Sequence, residues 1–194
     1  MGQVTSWSSW RSKEVLVREA GETGPIPLQI RGVFGASVVA SAVQRTESTV
    51  AQGVSYRVWD AGKRLIILPA GYNALDVSRR SVGSSGSTGI GPWKVTRLTG
   101  EDIRPAAGQM AGRGPWVLRL ADGSLKSLRV VWNRGESPGC LTLFRVGPGA
   151  DTGFGSIPGT GEELSAPHHT QETIRVAGPG YLLLDADRWT LDID

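Results

Sequence analysis

A phrase built on tryptophan returns three times along this chain: Gly91-Pro92-Trp93-Lys94-Val95-Thr96-Arg97-Leu98, Gly114-Pro115-Trp116-Val117-Leu118-Arg119-Leu120 and Asp187-Arg188-Trp189-Thr190-Leu191-Asp192-Ile193. In each, the Trp opens a short run of strand character. Two copies follow a second shared phrase, Leu68-Pro69-Ala70-Gly71-Tyr72-Asn73-Ala74-Leu75-Asp76-Val77 and Val176-Ala177-Gly178-Pro179-Gly180-Tyr181-Leu182-Leu183-Leu184-Asp185-Ala186. In both, a turn delivers a Tyr into a strand and a Trp opens the next. The predicted fold is therefore all-β: two tandem antiparallel β-sandwiches related by a degenerate internal repeat.

Composition agrees. The 27 Gly and 11 Pro fall between short apolar runs, as turns do, and the 20% charged fraction leaves few residues to cover exposed helices. The run Ala36-Ser37-Val38-Val39-Ala40-Ser41-Ala42-Val43 has helical alanines, but its β-branched valines and missing cap favour a strand. The boundaries read as an N-terminal arm over 1–12, a first sandwich over 13–99, a connector over 100–113 and a second sandwich over 114–194. The connector follows from Gly100, Pro105, Ala106, Ala107, Gly108 and Gly112, which interrupt any periodicity. The arm carries Trp7 and Trp10, which either dock elsewhere or fold back over a sandwich edge. Residues 147–167 read as a long Gly/Pro loop.

The chemistry-bearing residues are few. The single Cys140 excludes a disulfide framework and a multi-cysteine zinc site, and its apolar neighbours suit a buried structural thiol. His168 and His169, with Glu162 nearby, are the metal candidates, but adjacent histidines on an extended segment point to opposite sides. The segment Gly83-Ser84-Ser85-Gly86-Ser87 is no nucleophile elbow. Asp185, Asp187, Asp192 and Asp194 read as a solvated acidic face more readily than as a calcium site. The net charge of +3 is spread as pairs such as Lys63-Arg64 and Arg79-Arg80, which does not mark a nucleic-acid footprint. No stretch is long enough to span a membrane, so no membrane partner is expected. No cofactor is predicted.

The phrase Gly-Tyr-x-x-Leu, a spacer, then Trp and an alternating strand resembles the ends of bacterial jelly-roll repeats, loosely similar to pre-peptidase C-terminal type domains. The likeness rests on Tyr72 with Trp93 and on Tyr181 with Trp189. Such modules mediate contacts, so the resemblance implies binding and transfers no catalytic residue. The expected function is a non-catalytic interaction or structural subunit of a larger assembly, such as a phage-type virion or a secretion particle, with a protein partner or a second copy. The expected place is the cytoplasm or the assembled particle. Two alternatives stand beside it: a carbohydrate-binding module, and a hydrolase or metal-dependent enzyme using His168 and His169. Trp93, Trp116 and Trp189 sit among apolar strand positions and belong to cores, which leaves Trp7, Trp10, Trp59 and Trp132 as surface binding residues.

Overall fold

The structure is a computed structural model that describes residues 6–34, 36–58, 62–79, 91–132, 139–146, 162–165 and 171–194. Those residues form sixteen strands and fall into two compact units, Met1–Leu98 and Thr99–Asp194. In the first unit the strands are β1 (Ser6–Ser9), β2 (Lys13–Val17), β3 (Ile26–Gly32), β4 (Val38–Arg45), β5 (Val50–Val58), β6 (Lys63–Leu68), β7 (Ala74–Arg79) and β8 (Trp93–Arg97). The second holds β9 (Gly108–Gly112), β10 (Trp116–Leu120), β11 (Leu125–Trp132), β12 (Cys140–Arg145), β13 (Glu162–Ser165), β14 (Gln171–Ala177), β15 (Gly180–Asp185) and β16 (Trp189–Ile193).

Each unit is two four-stranded antiparallel sheets. The first has the orders β1-β8-β3-β6 and β2-β7-β4-β5; the second has β9-β16-β11-β14 and β10-β15-β12-β13. Adding eight to every strand number of the first unit gives the second. Both are thus eight-stranded jelly-roll sandwiches, and the repeat read from the sequence is a repeat of topology.

Alternation explains the layers. In β3, Leu28 and Ile30 are buried while Arg31 is exposed, and in β4 the small residues Ala40 and Ala42 are buried. Tyr56 of β5 reaches across to donate its hydroxyl to the carbonyl of Ile67 in β6, at 2.7 Å, which satisfies a buried polar group between the two sheets. In the second unit Leu118, Leu141, Leu143, Leu182 and Leu184 from one sheet join Leu128, Val130, Trp132, Trp189 and Leu191 from the other in one core.

Three sequence readings change. The arm over 1–12 contains β1, which pairs with β8, and the connector over 100–113 contains β9, which pairs with β16. Both are edge strands held by backbone hydrogen bonds, with little apolar periodicity to announce them: β9 buries one side chain, Met110. The loop over 147–167 includes β13, paired to β12. Within the repeat, Trp93 and Trp189 open equivalent strands, whereas Trp116 opens β10, the counterpart of β2. Tyr72 precedes its strand and Tyr181 lies inside β15, so the two tyrosines are not equivalent.

Candidate docking surface

Four strand ends meet at one end of the first unit: those of β1, β3, β5 and β7. The starts of β2, β4, β6 and β8 face them there. The register fixes this, because Ser9 and Gly32 both pair with Trp93, Val38 pairs with Val58 and Arg79, and Arg31 pairs with Lys63. Among the described residues two large aromatic side chains leave the sandwich at this end. Trp10 follows β1 and is 64% exposed, and Phe34 follows β3 and is 77% exposed. Among the described residues, the other large exposed apolar side chains are aliphatic and lie elsewhere: Val17 and Val50 at the opposite end, Leu125 and Val146 in the second unit.

Both aromatics are held. The indole nitrogen of buried Trp93 donates to the carbonyl of Arg11 at 3.2 Å, the Arg79 guanidinium donates to the carbonyl of Trp10 at 2.5 Å, and the Arg79 amide donates to Ser12 at 2.7 Å. Phe34 sits at a φ of +52°, a left-handed conformation that costs a bulky side chain about 1–2 kcal/mol. Val33, beside it, is tied to the carbonyl of Pro92 at 2.9 Å. Gly91 keeps this corner close, since a Cβ there would fall 1.7 Å from the carbonyl oxygen of Val33.

Cations occupy the strand rows next to this end. Lys94, Arg31 and Lys63 lie directly opposite one another across β8, β3 and β6, and all three are exposed on the outer face. Like charges in that register repel. Arg57 and Lys13 lie at the two edges of the other sheet's corresponding row, and Arg11 is adjacent to Trp10. Lys13 pairs with Asp76 at 3.0 Å; Arg11, Arg31, Arg57, Lys63 and Lys94 have no ion pair among the described residues. At the opposite end two cations are committed to structure, Arg18 donating to the carbonyls of Tyr72, Gly24 and Pro69 at 3.1, 2.6 and 2.9 Å and Arg97 pairing with Glu22, while Arg45 is exposed.

The second unit is an internal control. Trp189, the counterpart of Trp93, donates its indole hydrogen to Gly114, the counterpart of Arg11, at 3.1 Å. The row equivalent to Lys94–Arg31–Lys63 is Thr190–Val131–Gln171, without charge. One row further in, Arg129 faces Asp192. The fold therefore forms without the cationic row. Counting the whole sequence by unit, residues 1–98 carry twelve Lys and Arg against six Asp and Glu, and residues 99–194 carry nine against twelve.

A second concavity lies on the outer face of β2-β7-β4-β5, about 390 Å³, lined by Lys13, Asp76, Ser78, Val39, Ser41, Val43, Val50 and Gln52. The Ser41 and Ser55 hydroxyls lie 2.8 Å apart, and the Gln52 amide donates to both, at 3.1 and 3.2 Å. No aromatic side chain among its lining residues offers a sugar-stacking platform.

The other residues singled out from the sequence fall as follows. Trp7 is half-buried and lines a cleft of about 30 Å³ at the edge between the sheets, with Leu16, Leu28, Leu75 and Val95, so it folds back over the sandwich. Trp132 is corrected: at 6% exposure it belongs to the second unit's core, because its position on β11 faces the opposite sheet. Cys140 opens β12 half-buried, with its sulfur 3.8 Å from the Thr142 hydroxyl. Trp59, His168 and His169 lie outside the described residues, as does the side chain of Glu162. Among the described residues no three His, Cys, Asp or Glu side chains gather as a metal site, and no helix is long and apolar enough to cross a membrane. The displaced carboxylates serve turns: Asp102 is held below its ordinary pKa by the backbone and side chain of Thr99, and Asp122 by the side chain and backbone of Ser124. Sequence reading missed the cations because they are scattered along the chain and meet only through the strand register.

No protein-family model matches the chain. No curated protein matches it either. Among solved structures, it is similar to a Parabacteroides distasonis protein described only as a candidate secreted protein. That alignment covers 99% of this chain and 83% of the other at 7% identity, with a TM-score of 0.26. A likeness that weak carries no argument about fold or function.

Proposed function

We propose that this chain is a non-catalytic interaction protein whose contact surface is the loop end of the first unit. The observation that carries the reading is the pair Trp10 and Phe34: two large aromatics left in solvent at one end of a sandwich, one of them on a strained backbone. Burial does not explain either, and strain held by surrounding structure is a feature of functional sites. Fold alone would not support the reading, since jelly rolls host many functions. The same surface suits a subunit of a larger assembly, the form expected from the sequence, if its occupant is a neighbouring protein.

The test separates a contact role from a folding role. The variant combining Trp10→Ser and Phe34→Gly is expected to melt at or above the temperature of the parent protein, because neither side chain is needed inside and the glycine relieves the left-handed residue. A drop of several degrees would mean that the aromatics hold the fold, and the contact reading would fail.

A further inference from the structure

The geometry points to an occupant: we infer that the loop end of the first unit docks on the surface of an anionic phospholipid bilayer. Trp10 and Phe34 enter the headgroup region while Arg31, Lys63 and Lys94 lie against its negative charge. The inference rests on the contact reading above and names its partner class.

Three observations select this occupant. The aromatics project from loops at the strand ends. Trp and Phe at the edge of a cationic surface match the boundary between headgroups and acyl chains, where an apolar body and a polar rim are both satisfied. The cations are distributed around the end, on the outer faces of both sheets, with Lys94, Arg31 and Lys63 in one row and Arg57 at the edge of the other. A broad negative plane meets all of them, whereas a nucleic-acid strand calls for a track with stacking platforms along it. Finally, the like-charged row is absent at the equivalent place in the second unit, so the fold does not require it. A second copy docking end to end would bring two such rows together and be repelled. The absence of a spanning stretch is no obstacle, because docking at the surface needs none.

The experiment is co-sedimentation of the full chain with sucrose-loaded vesicles, either of phosphatidylcholine alone or of phosphatidylcholine mixed with phosphatidylserine. Binding to the mixed vesicles at low salt, lost at high salt and absent with phosphatidylcholine alone, is the expected result. The decisive variants import the second unit's residues: Arg31→Val, Lys63→Gln and Lys94→Thr. Each is expected to weaken binding about five-fold. Combining Trp10→Ser with Phe34→Gly is expected to weaken it at unchanged charge. The inference is overturned if the protein ignores phosphatidylserine vesicles, if these substitutions leave binding unchanged, or if soluble DNA or a sulfated polysaccharide binds while vesicles do not. In any of these cases a normal melting temperature for the aromatic variant leaves the contact reading standing. A lowered one removes both.

Discussion

A single indole hydrogen bond is repeated in both units, and it shows how a residue can fix a loop. Trp93 and Trp189 are buried, each opens the last strand of its sandwich, and each donates to a carbonyl in the turn after the first strand, Arg11 or Gly114. The Trp phrase was legible in the sequence because one residue supplies both a large buried body and this tie. Its third occurrence, at Trp116, was misleading: that ring packs edge-on against Trp189, with centroids 5.6 Å apart, and has no role in the repeat. Replacing Trp93 by Phe keeps the ring but removes the donor and part of the volume, which should cost about 1–3 kcal/mol by urea denaturation. A change within experimental error would show that the tie is idle. Asp102 and Asp122 set a pH dependence of known sign. A carboxylate whose folded pKa is depressed contributes stability above its unfolded value of about 3.9, and that contribution is lost as the pH falls through the lower folded value. NMR titration should place both midpoints below the ordinary Asp value, and a midpoint above it would contradict the Thr99 and Ser124 contacts.

At the level of the strand, edges explain what the sequence hid. The central strand β11 buries Leu128, Val130 and Trp132 at alternate positions and was readable from its pattern, while β1 and β9 are short edge strands with little to bury. Residues 6–9 therefore read as part of an arm although they complete a sheet, and deleting residues 1–12 would remove β1 and uncover β8. Such a truncation should destabilise the first unit, seen as a lower melting temperature, whereas a dispensable arm would leave it unchanged. The same register exposes the cost of the Lys94–Arg31–Lys63 row. Arg31→Val should stabilise the protein by a few tenths of a kcal/mol at low salt, with the gain fading as salt screens the repulsion. A loss of stability at low salt would mean that Arg31 serves the fold.

Across the whole molecule, one topology appears twice with opposite electrostatics. The first half of the sequence has an excess of cations and the second an excess of acids, so the modest net charge of +3 conceals two unlike units. Periodicity and turn spacing were sufficient for the all-β class and the repeat. The docking surface was not visible, because Arg31, Lys63 and Lys94 are separated by up to sixty-three positions in sequence and become neighbours only once antiparallel pairing brings their strands together. The central claim is the location of the contact, and amide NMR of the full-length protein titrated with anionic bicelles addresses it most directly. The account expects shifts and broadening concentrated at residues 10–13, 31–34, 57–58, 63–64 and 93–94, with the second unit unperturbed. Perturbations centred on the second unit, or on the outer face around Ser41 and Gln52, would contradict it.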